Sequence, residues 1–176
     1  MPTETQYRED EAVPAELPIP ISFRLPEGWH PVSPDDVGSP GAAFVALNVA
    51  TVGSGFTANI TLEGEYRPDD ATLTQLADAS LRQIAEGTTA CRLLDREEVG
   101  GPDAPGLTQF VGMTATVNDT EQQVIQAEFY LSLHDVDDPR ERVVLRTVLT
   151  ATEAQFPELV DDYQSFVGSL EPDGGE

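Results

Sequence analysis

An α+β fold, with a single antiparallel sheet of about six or seven strands backed by two main helices in the order βββαββββα, follows from three features of this sequence. Apolar and polar residues alternate with a period of two in six segments, and a seventh of mixed polarity stands beside them. One interior stretch and one near the end switch instead to a helical period of about 3.6. Turn-forming residues separate several consecutive strands so closely that the pairs must run antiparallel. The chain has 176 residues with 14 glycines, 14 prolines and one cysteine. That length fits one domain, whose core removes about 70% of the unfolded surface from water, so no disulfide or metal staple is required.

Residues 1–18 are acidic, proline-punctuated and without apolar period, and read as a disordered tail ahead of a domain spanning 19–171. Ile19, Ile21, Phe23 and Leu25 alternate with Ser22 and Arg24, which predicts a first strand. Pro26 and Gly28 turn the chain and Trp29 returns it toward the core, after which 31–41 read as a loop. Ala43, Val45, Leu47 and Val49 predict a second strand; after a glycine turn at 53–55, Phe56, Ala58, Ile60 and Leu62 predict a third. Leu73, Leu76, Ala77, Leu81 and Ile84 share one helical face. Asp69, Asp70 or a Thr72–Gln75 capping box can start that helix and Gly87 can end it.

The mixed polarity of 90–99 predicts an edge strand. Longer alternating runs at 107–117 and 122–133 flank a tight Asn118-Asp-Thr120 turn, and 143–150 adds a final strand. Phe156, Leu159, Val160, Tyr163, Phe166, Val167 and Leu170 form the stripe of a closing helix, with Pro157 harmless in its first turn. Residues 172–176 read as a loose end.

Each helix has one apolar stripe and must lie on the sheet, the closing helix being the heavier cover. If one face is left open, the outward positions collect there: Phe44, Asn48, Asn59, Phe110, Thr114, Gln126, Tyr130, Val144, Arg146 and Val148. Such a face, threonine-rich but carrying large apolar groups, reads as a docking surface built on Phe44, Phe110, Tyr130, Val144 and Val148.

Thirty-two acidic side chains stand against nine arginines, lysine is absent, and the formal net charge is −23. That field repels phosphate, which excludes nucleic acid and disfavours anionic membrane surfaces. It attracts basic proteins, with steering that fades beyond about 8 Å at physiological salt. Asp135, Asp137 and Asp138 on the loop before the last strand would supply part of that steering. This loop lacks the spacing and glycine of a calcium loop, so it reads as solvated rather than as a metal site.

No apolar run approaches the ~20 residues of a membrane span, and the N-terminus has no leader, so the expected location is cytoplasmic. Cys91 is alone and reads as a small core residue. His30 and His134 stand beside no nucleophile motif, and Gly53-Ser-Gly55 lacks the lysine of a phosphate loop. No catalytic group, cofactor or metal is expected.

The strand ending in Leu25-Pro-Glu-Gly-Trp29, the Ala58-Asn-Ile-Thr61 strand, the helix after it and the helix end Phe166-Val-Gly-Ser-Leu170 occur in an order and spacing that resemble the PsbP-like superfamily. Within it, the chain is most similar to the actinobacterial LpqN lipoprotein family and to DcrB-related domains. The resemblance covers about residues 19–171, although the lipoproteins' signal peptide and lipobox cysteine are missing. It implies an antiparallel sheet with helices and a non-enzymatic role as an accessory, scaffold or chaperone-like module. Members include partners of a nuclear GTPase, a photosystem subunit and chaperones for hydrophobic segments of toxins. The expected function is therefore a non-catalytic protein-binding module, monomeric or homodimeric, whose partner is basic or carries a hydrophobic segment. An immunity-type inhibitor of a basic toxin such as a nuclease is the alternative, and a hydrolase using His134 a third class.

Overall fold

The computed structural model describes residues 21–37, 42–101, 104–134 and 141–172. The tail 1–18 and the loop residues Asp135, Asp137 and Asp138 lie outside them. Among the described residues the order is β1 (Ile21–Ser22), β2 (Trp29–Val32), β3 (Phe44–Asn48), β4 (Asn59–Tyr66), α1 (Leu73–Gly87), β5 (Thr89–Gly101), β6 (Ala104–Val117), β7 (Thr120–His134), β8 (Arg142–Thr152), α2 (Phe156–Gly168) and β9 (Glu171–Pro172).

Strands β2-β3-β4-β8-β7-β6-β5 form, in that spatial order, one seven-stranded antiparallel sheet. The fold class read from the sequence is therefore the observed one. Its seventh strand is not the expected one, however. The 19–25 segment contributes only β1, which pairs with β9 in a separate two-stranded ribbon. The place in the main sheet is taken by Trp29–Val32, where a turn and a loop were expected. Pro31 hides this strand from a propensity argument, yet an edge strand tolerates proline because one side of its backbone needs no ladder partner.

Local signals act where expected. Thr72 and Gln75 form the reciprocal capping box, with Gln75 N–H on Thr72 Oγ1 at 3.0 Å and Thr72 N–H on Gln75 Oε1 at 2.8 Å. Neither Asp69 nor Asp70 is the cap. Asn118 and Asp119 take φ of 51° and 66°, the left-handed pair that a two-residue hairpin turn demands. Pro157 sits in the first turn of α2, where no intrahelical N–H is lost.

The two helices lie on opposite faces of the sheet. Helix α2 packs Leu159, Tyr163 and Phe166 onto Phe44, Ala46, Ala58, Ile60, Leu62, Ala127, Leu149 and Ala151. Tyr163 fixes the docking by donating to the Thr147 carbonyl at 2.7 Å, and the Trp29 indole N–H reaches Asp162 at 3.0 Å. Helix α1 covers the other face, with Leu73, Leu76 and Ala77 on Leu107, Tyr130 and Val144. Leu81 and Ile84 continue that cover over Val111, Met113 and Val124.

The expectation of a sheet face free of helical cover is thereby corrected, and with it the exposure of its residues. Phe44, Tyr130, Val144 and Val148 are all buried. Phe110 is half-buried with its ring edge-on to Phe156 at 5.8 Å. Phe44 and Phe110 also lie on the α2 face, whereas Tyr130, Val144 and Val148 lie on the α1 face, so the five never formed one surface. Alternation gives each strand two faces without saying which belongs with which face of its neighbour. One residue of register inverts the assignment.

Phe166 is wholly buried at the centre of the α2 contact. Replacing it by alanine removes its transfer free energy and leaves a cavity, and Phe166→Ala is expected to lower unfolding free energy in urea by about 3–5 kcal/mol.

Candidate functional site

On the α1 face, three polar residues stand in line across the sheet: Tyr130 of β7 opposite Arg146 of β8, and Arg146 opposite Glu63 of β4. Beside them Gln109 of β6 is opposite Glu128 of β7. Each occupies an ordinary position of its strand's alternation, so sequence alone makes them a solvated row. The descent of α1 onto this face buries Glu128 and Gln109 to 1% exposure.

Burial of a carboxylate demands partners, and Glu128 has them on both oxygens. Its Oε1 accepts from the Tyr130 hydroxyl at 2.8 Å and from Gln109 Nε2 at 3.0 Å. Its Oε2 accepts from Ser80 Oγ of α1 at 3.1 Å and from Arg146 Nη2 at 3.4 Å. Every neighbour presents a donor, the environment of an acceptor-only group. Arg146 is shared further, with Nη1 on Glu63 at 2.7 Å, Nη2 on Ser80 Oγ at 3.0 Å and Nε on Tyr130 at 3.2 Å. On the far side Arg96 of β5 holds Gln109 Oε1 through Nε and Nη2, at 2.9 and 2.7 Å, and Asp78 of α1 through Nη1 at 2.8 Å. The network therefore ties α1 to strands β4 through β8.

Its electrostatics follow from this geometry. Burial opposes the charge on Arg146, but Glu128 and Glu63 outweigh it and raise its pKa, so the guanidinium stays protonated. Burial and then the Glu128 charge push the Tyr130 phenol up to about 12. A phenol so raised keeps its proton at neutral pH and is no base.

Above this network, between α1 and strands β4, β8 and β7, opens a groove of about 470 Å³. Leu76, Ala79 and Val144 supply its apolar wall, and Glu63, Glu65, Arg67 and Gln83 its polar rim. The charges at its rim are engaged: Arg67 pairs with Glu65 at 3.0 Å and with neighbouring Asp69 at 2.9 Å, and Arg142, outside the groove, also reaches Asp69 at 3.2 Å. Of the sequence-predicted partner residues, Tyr130 and Val144 line this groove, as buried floor rather than contact area. His30 is exposed on β2, and His134 is exposed at the end of β7 opposite Arg142. Cys91 is half-buried, its thiol pKa raised by burial and then by Glu128. Among the described residues no three His, Cys, Asp or Glu side chains converge as metal ligands, and no helix is long and apolar enough to cross a membrane.

Exposed apolar side chains lie elsewhere: Val49 and Val52 just after β3, Tyr66 at the end of β4, and two adjacent leucines on edge strand β5. Leu93 and Leu94 are 41% and 44% exposed, and the pairing with β6 shifts between Leu93 and Asp95. This bulge turns Leu94 onto the α2 face, where its Cδ1 lies over Gly112, while Leu93 faces the α1 side opposite Val111. Sequence reading identified the edge strand but not these leucines, because mixed polarity conceals a bulge.

Two outcomes are expected from the network. Arg146→Met leaves Glu128 buried without its cation and lowers stability by about 3–5 kcal/mol, part of which Glu128→Gln restores in the double variant. In an alkaline titration followed by phenolate absorbance, Tyr130 keeps its proton at pH 10 and ionises near 12. Its folded-state pKa lies above the unfolded value of about 10, so its stabilising contribution is present below pH 10 and is lost as pH rises through about 12.

No family model matches the chain, and no curated protein matches it in sequence. Solved structures do. LpqN of Mycobacterium tuberculosis, involved in cell envelope biogenesis, aligns with a TM-score of 0.62 at 12% identity over 88% of this chain and 86% of its own. The cyanobacterial PsbP (CyanoP) of Synechocystis sp. PCC 6803 aligns at 0.57 with 16% identity over 94% and 90%. The Ran-binding protein Mog1p of Saccharomyces cerevisiae aligns at 0.52 with 15% identity over 86% and 89%. Agreement along nearly the whole length, at identities this low, is agreement of fold: this chain has the PsbP-like fold, shared with LpqN, CyanoP and Mog1p.

Proposed function

We propose that the chain is a non-catalytic protein-binding module, an adaptor, accessory or chaperone-like domain, for a basic partner. The observation that carries this reading is the pair of exposed leucines on β5, set in an acidic exterior where five of the arginines are already engaged. Arg67, Arg92, Arg96, Arg142 and Arg146 each hold a carboxylate within 4.0 Å. The field offered to a partner is therefore the unpaired remainder of a −23 chain. Long-range attraction brings a cationic protein in, and Leu93 and Leu94 supply desolvated contact once it arrives. The fold is compatible with such a role, since one protein that has it, Mog1p, is a Ran-binding protein.

The charge excess favours a second, more specific reading, an immunity-type inhibitor that masks the cationic surface of a toxin such as a nuclease. Ionic strength separates the two. An inhibitor steered mainly by charge loses association rate steeply with salt, whereas leucine-mediated docking loses much less.

The test is affinity capture from the cells that make the protein, with the wild-type chain and a Leu93→Ser/Leu94→Ser variant compared. Both side chains are exposed, so the variant should match wild type in circular dichroism and urea unfolding. A basic protein retained by wild type and lost from the variant is the expected result. Equal retention by both removes β5 as the contact surface, and retention of no basic protein removes the reading.

A further inference from the structure

Among the described residues β6 is the one ladder partner of strand β5, so the opposite row of its N–H and C=O groups ends the sheet there. Such rows template the pairing of another strand, and proteins guard them with bulges and charges. Here the guard is uneven. Bulges disturb β5 between Thr89 and Arg92 and between Leu93 and Asp95, but from Asp95 onward the pairing with β6 is in unbroken register. Over Asp95–Val99 the edge is regular and available.

The charges along that length are of one sign in effect. Asp95, Glu97 and Glu98 are exposed. The intervening Arg96 is bound to Gln109 and to Asp78, and is half-buried. Asp95 and Glu97 project to the α2 face, opposite Phe110 and Thr108, while Glu98 projects to the α1 face opposite Leu107. A strand laid against this edge meets a carboxylate on either face. An acidic or neutral strand is repelled or left with unmatched charges, and a second copy of this −23 chain is repelled as a whole. A strand carrying arginine or lysine is complementary on both faces.

Resting on the protein-binding reading above, we infer that the outer edge of β5 over Asp95–Val99 takes a basic, strand-forming segment of the partner, which adds to the sheet with its cationic side chains against Asp95, Glu97 and Glu98. Backbone hydrogen bonds supply the register, and the carboxylates on the two faces select charge. Leu94, lying over Gly112 next to the regular stretch, gives one apolar residue of the incoming strand a neighbour. The surface thereby combines a guard against self-association with a selector for the partner.

The full-length chain is titrated with an end-blocked nine-residue peptide of alternating arginine and valine, and with the same peptide N-methylated at alternate residues, with binding followed by amide chemical shifts. The unmodified peptide should bind saturably, with shifts concentrated on Leu94–Gly101 and the facing β6 residues. N-methylation should weaken Kd at least about tenfold by removing ladder donors. Glu97→Lys/Glu98→Lys, both at exposed positions, should weaken it by at least about tenfold at low salt. Equal binding of both peptides, or shifts mapping to another surface, overturns strand addition while leaving the basic-partner reading intact. Saturable binding of neither peptide overturns the inference, and the capture experiment then decides the broader reading separately. Dimerisation through β5 in sedimentation also overturns it, because the edge would already be occupied.

Discussion

Tyr130 stands opposite Arg146 and Arg146 opposite Glu63, and this line of register fixes what each face of the sheet contains. With it set, Leu149, Ala127, Ile60 and Ala46 fall on the face that receives α2. Leu107, Tyr130 and Val144 fall on the face that receives α1. A slip of one residue between β7 and β8 would carry Arg146 beneath α2 and away from Glu128, the carboxylate it holds at 3.4 Å. The polar network is thus a register lock as well as a tie for α1. Its members are satisfied only in the observed pairing.

Opposed helices explain where exposed surface remains. Helix α1 lies over β5, β6 and β7, while α2 lies chiefly over β8 with β3, β4 and part of β7. Strand β5 is at the margin of both arrangements, with most of its residues exposed. Its leucines and carboxylates are consequently surface features in a molecule that buries most of its other large apolar groups. The outward field is acidic because carboxylates far outnumber arginines, and five of those arginines sit in ion pairs that leave the excess uncompensated.

Much of this was legible in the sequence, and the reasons are local. Thr72–Gln75, Asn118–Asp119 and Pro157 each encode a boundary by a mechanism confined to a few residues. The apolar stripes of both helices also follow from a short-range period. Relations between strands were not legible. Phe44 and Tyr130 both read as outward, yet they point to opposite faces and both are buried. A signal for two covered faces was present in β8, where Val143, Val144, Leu145, Val148 and Leu149 make a nearly continuous apolar run rather than an alternation. Glu128 and Gln109 gave no comparable sign. Their burial depends on Ser80, Ala77 and Asp78, residues about 30 to 50 positions away on α1, which no periodicity can pair with them.

Among the described residues β5 ends the sheet with an open, regular edge, and native-state hydrogen exchange on the unbound chain reads that edge amide by amide. Alternate amides along Asp95–Val99 should exchange near the unstructured-chain rate. Their neighbours paired with β6 should be protected, and the β7 and β8 core amides slowest of all. Uniform protection along Asp95–Val99 would contradict the open edge, since those outward N–H groups would then already have a partner.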